Sequence, residues 1–409
     1  MPYAYRSTRT STQGRGSKSG GRPSFNNNRG SRQGGGGRRN SGSNIDPRRF
    51  VAAATAREAE VYVPKNTFAD FGFEPLLQVN LTAKGYQTPS PIQDQAIPLV
   101  LQGGDVLGMA GTGTGKTAAF ALPTLNKLLL NKSSAVLIIA PTRELAQQIE
   151  AECRALAKGS GLTGALLIGG SAMGPQLRDL RSNPRIVIGT PGRIKDHIER
   201  RTLKLDGFDT VVLDEVDRML DMGFVSDIRS IIGCITNERQ SLFFSATMNN
   251  EIRRLIDDFA KEPQTIKIQA TAASENVHQD VIRFQTHSDK LDQLHDILLK
   301  QEVSKAIIFD ETQRGVERLH KDLLDRGFAT ESMHGGKSQG QRQRALSKFK
   351  QNEITILVAT DVAARGIDVA DITHVINYSI PQGYDDYIHR IGRAGRAGKI
   401  GYAFTFIPR

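Results

Sequence analysis

The chain has 409 residues, and its 54 lysines and arginines outnumber its 43 acidic residues, which gives a formal net charge of +11. This length predicts two domains with an extension, whereas only two cysteines exclude a disulfide-stabilised scaffold and a four-cysteine zinc site. No run of about 18 apolar residues is present and the N-terminus lacks the apolar core of a signal peptide, so we expect a cytoplasmic protein without a membrane span.

The first 50 residues carry most of the positive charge. They contain ten arginines, one lysine and a single acidic residue, Asp46, and are rich in Gly, Ser and Asn. Too little apolar surface is present to offset the entropy of ordering, so residues 1–60 are predicted to form a disordered tail. Adjacent Arg and Gly residues are typical of tails that bind RNA loosely and nonspecifically. A solubilising linker is the alternative, and residues 51–60 fit either a short helix or more linker.

Short β-rich runs alternate with helical stretches from residue 66 onward. The candidate strands of the first half are 105–109, 135–140, 164–168, 185–189, 209–213 and 241–244. After a lapse at 270–279, which we interpret as a linker, candidate strands resume at 281–285, 305–309, 328–333, 354–359, 373–377 and 402–406. This alternation favours βαβ units, so the sequence predicts an α/β protein with two tandem parallel-sheet domains, at 66–269 and 280–409.

A glycine-rich segment at 110–117, AGTGTGKT, follows the first strand and opens a helical stretch. It fits the phosphate loop, with Ala in the leading glycine position. Gly113, Thr114 and Gly115 let the backbone wrap around phosphates, so that its N–H groups meet the negative charge. Lys116 is predicted to reach the β- and γ-phosphates, and the Thr117 hydroxyl to ligate Mg²⁺.

An acidic group stands at the exit of the strand 209–213, where a phosphate loop requires a metal-holding carboxylate. Asp214 is predicted to hold Mg²⁺, through water, and Glu215 to orient and deprotonate the attacking water. An acidic strand end alone also fits a helix cap. Its position about 100 residues after the phosphate loop favours the nucleotide site.

From about Phe68 to Gly398, the order of these and further motifs resembles the DEAD-box family of ATP-dependent RNA helicases. The resemblance implies two RecA-like domains, ATP and Mg²⁺ as cofactors, and RNA as a partner gripped mainly through its sugar–phosphate backbone. It also implies a monomer that couples RNA-stimulated ATP hydrolysis to local, non-processive unwinding of short duplexes or to remodelling of RNA–protein complexes. A slowly cycling ATP-dependent RNA clamp and a DNA helicase of related architecture are the alternatives.

The stretch from Gly85 to Gln93, GYQTPSPIQ, is similar to the adenine-reading motif of this family. The Gln93 side chain has both a carbonyl and an amide, which can pair with the N6 donor and the N7 acceptor of adenine. Phe68 or Tyr86 can stack on the base. The resemblance thus implies a preference for ATP over GTP.

Further motifs of the family follow in order along the chain. The residues that the resemblance assigns to the RNA backbone are Pro141, Thr142, Arg143, Gly170, Thr190, Arg193, Gly336, Arg342 and Thr360. Those that it assigns to the coupling of ATP turnover to strand separation are Asp217, Ser245, Thr247 and His389. Asp368 is implied to contact the ribose hydroxyls, while Arg393 and Arg396 are implied to reach the γ-phosphate from the second domain.

Three residues depart from the family pattern. The name motif reads Asp-Glu-Val-Asp with Val216, Ala394 replaces a common Thr between the two arginines, and Thr114 replaces a common Ser. None of these changes removes a catalytic group. We therefore expect modest effects on the rate or on domain coupling.

Overall fold

The computed structural model describes residues 45–54, 62–111, 113–268, 276–364, 369, 371–395 and 399–409. Two of the predicted site residues, Asp368 and Arg396, lie outside these ranges, as does the basic segment 1–44. No helix within these ranges is long and apolar enough to cross a membrane. Residues 62–268 are called the N-terminal lobe below, and residues 276–409 the C-terminal lobe.

The N-terminal lobe is built on a parallel sheet of seven strands. The strands are Val106–Met109 (β1), Val136–Ile139 (β2), Gly164–Leu167 (β3), Ile186–Gly189 (β4), Thr210–Leu213 (β5), Gln240–Ser245 (β6) and Gln264–Lys267 (β7). Their order is β3-β4-β2-β5-β6-β1-β7. Six of these strands match the predicted ones. The edge strand β7 was not predicted, because Ile266 is its only buried residue and the apolar signal is correspondingly weak.

Helices cover both faces of this sheet. They are Pro75–Ala83 (α1), Pro91–Leu101 (α2), Lys116–Leu130 (α3), Arg143–Leu156 (α4), Met173–Arg181 (α5), Pro191–Glu199 (α6), Val216–Asp221 (α7), Val225–Gly233 (α8) and Asn250–Phe259 (α9). Alternate residues of β2 enter different apolar clusters, Ile138 on one face and Leu137 on the other. A strand buried on both faces reads as a continuous apolar run, which is why the central strands were predictable.

The C-terminal lobe holds a second parallel sheet, of six strands. They are Val277–Phe284 (β8), Ala306–Phe309 (β9), Thr330–Met333 (β10), Ile356–Ala359 (β11), His374–Asn377 (β12) and Gly401–Pro408 (β13), in the order β10-β11-β9-β12-β13-β8. The helices are His287–Leu298 (α10), Gln313–Asp325 (α11), Gln339–Lys350 (α12), Asp361–Ala364 (α13) and Tyr384–Ile391 (α14). The predicted α/β fold with two tandem parallel sheets is therefore confirmed.

Two segments differ from the predicted boundaries. Strand β8 begins at Val277, inside the predicted linker 270–279, because Val277 and Gln279 are buried beside β13 although the run looks polar. Residues 47–50, placed in the predicted tail 1–60, form a 3₁₀ helix whose Phe50 is buried in the C-terminal lobe. A single large apolar residue in a polar context gave no periodic signal in the sequence.

Candidate active site and nucleic-acid interface

The phosphate loop joins the end of β1 to the start of α3. Gly113 and Gly115 have φ angles of 79° and 93°, a backbone region that L side chains rarely adopt. Lys116 is 7% exposed, and its Nζ donates to the Ala110 carbonyl at 2.9 Å. The Thr114 hydroxyl donates to the Gly111 carbonyl at 2.9 Å. The loop is therefore curled by its own contacts, with the lysine folded over it.

Gln93 connects the predicted adenine-reading motif to this loop. Its Oε1 accepts from the Ser90 N–H at 2.9 Å, and its Nε2 donates to the Gly115 carbonyl at 3.1 Å. A Cβ at Gly115 would lie 2.4 Å from that same Nε2, so the close approach requires glycine. One lone pair and one N–H of the amide remain for a base. This connection was not predicted, since no pattern in the sequence pairs positions 93 and 115.

The two aromatic residues predicted to stack on adenine pack against each other. The rings of Phe68 and Tyr86 meet edge to face, with centroids 5.7 Å apart, and Phe68 is buried. The Tyr86 hydroxyl donates to Glu152 at 2.9 Å. Burial and the Glu152 charge raise the pKa of Tyr86, so this hydroxyl stays protonated at neutral pH. Base stacking by either ring stays a prediction.

Asp214 and Glu215 leave the sheet at the end of β5, two strands from the phosphate loop. Asp214 is 2% exposed, and burial raises its pKa to about 7 although the Lys116 charge opposes the rise. Glu215 has a φ of 52°, and its buried Oε2 has no hydrogen-bond partner in the described part of the chain. Buried carboxylate oxygens of this kind fit a hydrated Mg²⁺ ion.

Asp217 ties the acidic motif to the segment after β6. Its Oδ2 accepts from the backbone N–H groups of Ala246 and Thr247, both at 3.0 Å, and from the Thr247 hydroxyl at 3.2 Å. The hydroxyl of Ser245 instead donates to the Thr247 carbonyl at 2.7 Å. The Thr247 hydroxyl therefore bonds a carboxylate of the acidic motif, whereas the Ser245 hydroxyl bonds a backbone carbonyl.

The predicted RNA contacts of the N-terminal lobe gather where three neighbouring strands end. Pro141, Thr142 and Arg143 follow β2, Gly170 follows β3, and Thr190 and Arg193 follow β4. Carboxyl ends of parallel strands share one edge of a sheet, which is where open α/β folds bind ligands. The structure thus brings these residues to a single edge.

The guanidinium of Arg143 lies against the backbone of the glycine pair after β3. A Cβ on Gly170 would be 2.2 Å from the Arg143 Nη1, and Gly170 has a φ of 75°. The Arg193 Nη1 donates to the Ser171 carbonyl at 3.3 Å. Burial, together with the nearby Arg342 charge, lowers the pKa of Arg143. Two arginines are therefore fixed beside one loop.

In the C-terminal lobe, Arg342 makes a contact that the sequence did not predict. Its Nη2 donates to the Glu144 Oε2 of the other lobe at 2.7 Å, and both side chains are buried. Gln339 donates to Glu144 and Gln147 at 3.2 and 3.1 Å. Arg342 thus forms an ion pair between the lobes, and its contact with RNA stays a prediction. Glu144 was missed because a single sequence does not link positions 198 residues apart.

The other two predicted RNA contacts of this lobe lie at strand ends. Gly336 follows β10, and its N–H donates to the His334 Nδ1 at 3.1 Å. Thr360 follows β11 and is buried, and its backbone carbonyl accepts hydrogen bonds from the N–H groups of Ala363 and Ala364 in α13. Their contact with RNA stays a prediction.

Arg393 follows α14 and is 4% exposed. It lines a small cavity with residues of both lobes, namely Arg218, Phe309, Asp361, Asp386, His389 and Arg390. Arg390 is held by two hydrogen bonds to Asp361, each of 2.6 Å, and by one to the Asn377 side chain at 3.1 Å. Arg393 therefore faces the N-terminal lobe beside the residue that follows the acidic motif. The role of Arg390 in bracing this segment was not predicted.

Comparisons with known proteins identify the family of this chain. The family model described as DEAD/DEAH box helicase matches residues 90–255, and that of the helicase conserved C-terminal domain matches residues 289–398. The chain is 46% identical over 341 residues to the ATP-dependent RNA helicase CshA of Listeria monocytogenes, and 45% identical over 343 residues to the DEAD-box ATP-dependent RNA helicase CshA of Bacillus subtilis. These matches cover 83% of this chain and 66% and 69% of the two relatives, so the chain spans about two thirds of their length.

Among solved structures, S. cerevisiae Dbp5 bound to RNA and ADP BeF3 is similar to this chain with a TM-score of 0.75. The two are 29% identical, over 84% of this chain and 90% of that one. Both family models and the two curated relatives point to one family, and the Dbp5 structure is similar in fold. The chain belongs to the DEAD-box family of ATP-dependent RNA helicases.

Proposed function

We propose that this chain hydrolyses ATP in response to RNA and uses the cycle to open short duplexes locally or to remodel RNA–protein complexes. One observation carries the proposal. Buried Asp214 and Glu215 stand at the same sheet edge as the phosphate loop, and buried Arg393 of the other lobe lines a cavity with Arg218, next to that acidic motif. Arginine supplied across a cleft is a known way of stabilising the charge of phosphoryl transfer.

The residues divide the chemistry of hydrolysis among them. Lys116 and the loop N–H groups bind the phosphates, Glu215 takes a proton from the attacking water, and Arg393 and Arg396 stabilise the charge that develops on the γ-phosphate. Thr117 and Asp214 would hold Mg²⁺, which would neutralise negative charge on the phosphates. The remaining nucleotide contacts are those of Gln93 with adenine, of Phe68 or Tyr86 with the base face, and of Asp368 with the ribose.

RNA spans the strand-end edges of both lobes in this proposal. Thr142, Arg143, Gly170, Thr190 and Arg193 hold one part of its backbone, and Gly336 and Thr360 another. Phosphate contacts carry no sequence information, and contacts to 2′-hydroxyls favour RNA over DNA. The named relatives are RNA helicases, and the similar Dbp5 structure contains RNA and ADP BeF3, which supports the assignment.

The basic segment 1–44 adds nonspecific affinity for RNA in this proposal, because it carries eight arginines, one lysine and no acidic residue. We propose that the protein acts as a monomer in the cytoplasm. The coupling of ATP turnover to strand separation is assigned in this proposal to four residues, Asp217, Ser245, Thr247 and His389.

The test is to replace Glu215 with Gln and to measure multiple-turnover ATP hydrolysis with RNA, with DNA of the same sequence, and with neither. We expect RNA-stimulated hydrolysis to fall by at least about 100-fold, the usual contribution of a general base. Glu262→Gln is the matched control, since Glu262 also has a positive φ but is exposed. Hydrolysis by Glu215→Gln at the wild-type rate would remove Glu215 from this role. Equal stimulation by DNA would contradict the RNA assignment, and one slow turnover per bound RNA would favour the clamp.

A further inference from the structure

The segment 46–52 is attached to the C-terminal lobe, although the chain continues from it into the N-terminal lobe. Pro47–Phe50 forms the 3₁₀ helix, which begins at Asp46, whose carboxylate accepts the Arg48 N–H at 2.9 Å. Phe50 is fully buried, and its ring centroid lies 4.7 Å from that of Tyr387 in α14. The side chain enters the apolar cluster that also contains Val277 and Ile391. We call residues 46–52 the N-terminal strap.

Two more contacts fix the strap on the same two elements. The Arg49 guanidinium lies over the Tyr384 ring, 3.8 Å from its centroid. Ala52 and Gln279 of β8 exchange both backbone hydrogen bonds, at 3.1 and 2.8 Å. The Gln279 side chain in turn accepts from the Tyr387 hydroxyl at 2.9 Å. Aromatic, cation–π and backbone contacts therefore join the strap to α14 and β8 at successive positions.

The chain is anchored again shortly afterwards, this time on the N-terminal lobe. Asp94 of α2 accepts the Tyr62 hydroxyl at 2.5 Å and the N–H groups of Lys65 and Asn66 at 2.8 and 3.0 Å. Asp94 is next to Gln93, which contacts the phosphate loop. Residues 53–61, which separate the two anchors, can span at most about 35 Å when fully extended. The lobes are thus joined by the chain at two places, by this segment and by the one between β7 and β8.

Helix α14 sets the positions of Arg390, which lies within it, and of Arg393, which follows it. Its Tyr384 and Tyr387 contact the strap, whereas Arg390, one turn further on, is bonded to Asp361 and Arg393 follows the helix. We propose that the N-terminal strap is a positioning element that holds α14, and with it Arg393, in place toward the N-terminal lobe. The expected effect on the rate rests on the proposed ATPase function. The docking of the strap on α14 and β8 does not depend on that function.

The kinetic experiment replaces Phe50 with Ala in the full chain. Misplacement of a group far from the chemistry can cost up to about 100-fold in rate, and we expect kcat for RNA-stimulated hydrolysis to fall by about tenfold with KM for ATP unchanged. Val51→Ala is the matched control, because Val51 is the neighbouring apolar residue and is 56% exposed. Phe50→Leu, which retains an apolar side chain, is expected to recover most of kcat. Deletion of residues 1–44 leaves the strap intact and is expected to spare kcat.

The docking experiment does not depend on activity. The chain has no tryptophan, so Phe50→Trp and Val51→Trp each introduce a single fluorophore. We expect blue-shifted emission shielded from iodide for position 50, and red, quenchable emission for position 51. Exposed emission at position 50 overturns the docking. Equal kcat values for Phe50→Ala and Val51→Ala overturn the positioning role. If wild-type hydrolysis ignores RNA, the proposed function fails while the fluorescence result still decides the docking.

Discussion

At the scale of single residues, the proposed nucleotide site is a cluster of buried ionisable groups. Burying such groups lowers the free energy of unfolding. Burial raises the pKa of Asp214 from 3.8 to about 7, and Glu215 lies beside it in a left-handed backbone conformation with an unpartnered Oε2. Strain and unpaired polar groups of this kind are retained where function requires them. A cation and a triphosphate, as proposed above, would supply partners for these groups.

The raised pKa of Asp214 predicts how the stability of the nucleotide-free protein depends on pH. A carboxyl group with a raised folded-state pKa contributes stability below its unfolded value of 3.8, and that contribution is lost as the pH rises toward about 7. Asp214→Asn cannot ionise, so the gain in Tm of this variant over wild type should grow between pH 4 and pH 7 and then level off. A gain of several degrees is expected at pH 8, at about 2–4 °C per kcal/mol for a lobe of this size.

The measurement is thermal unfolding of both proteins across pH 4–8, followed by circular dichroism without nucleotide or Mg²⁺. Asp206→Asn serves as the control, since Asp206 is an exposed carboxylate of the same lobe. A Tm difference that is constant with pH would show that burial does not shift the pKa of Asp214. A Tm difference that shrinks as the pH rises would show that the pKa of Asp214 is lowered in the folded protein.

At the scale of elements, the central strands were predictable from the sequence and the edges were not. β2, β4 and β5 are buried along their whole length and read as apolar runs. β7, the start of β8 and the 3₁₀ helix at Phe50 each bury one or two residues, so they left no periodic pattern. The phosphate loop and the acidic motif were found because their spacing reflects local backbone chemistry. The Gln93–Gly115 and Glu144–Arg342 contacts were not, because they depend on tertiary proximity alone.

The turn after β3 makes a prediction about RNA binding. Gly170→Ala places a Cβ 2.2 Å from the Arg143 Nη1 on a backbone with a φ of 75°, so the arginine must move. We expect the affinity for single-stranded RNA to fall by about tenfold, because one charge-assisted hydrogen bond is lost. The affinity for ATP should not change. Fluorescence anisotropy with a labelled RNA measures the first quantity, and a fluorescent ATP analogue the second.

The control for this turn is Gly192→Ala, one strand away, where a Cβ would meet nothing within 4 Å. Gly192 has no positive φ, so the control tests for the effect of a methyl group at the same edge of the sheet. Unchanged RNA affinity in Gly170→Ala would show that the placement of Arg143 against the glycine pair is unimportant for binding. Equal losses in both variants would point to a general steric effect.

At the scale of the whole molecule, contacts of three kinds connect the two lobes among the residues that the structure describes. Arg393 reaches the cavity beside Arg218, the strap joins α14 to the chain that enters the N-terminal lobe, and Glu144 pairs with Arg342. The first contact involves the arginine that is proposed to act on the nucleotide, the second is a connection through the chain, and the third is a buried ion pair next to a predicted RNA contact. Glu144 is adjacent to Arg143, which is a predicted RNA contact. The ion pair therefore links the contact between the lobes to the predicted RNA-binding residues. Ligands that favour the same arrangement of the lobes must enhance each other's binding.

A double-mutant cycle on Glu144→Gln and Arg342→Gln tests this third contact, with the RNA concentration for half-maximal ATPase and the stimulated kcat as readouts. Removal of either partner leaves the other charge buried and unpaired, so each single variant should be strongly impaired. The double variant should be no worse than the single ones, with a coupling of about 1–3 kcal/mol. The exposed pair Lys261–Glu238 supplies a control cycle with coupling near zero. If the losses are additive, and RNA affinity depends less steeply on salt in Arg342→Gln alone, the result would instead support the RNA contact that the sequence motif predicts for Arg342.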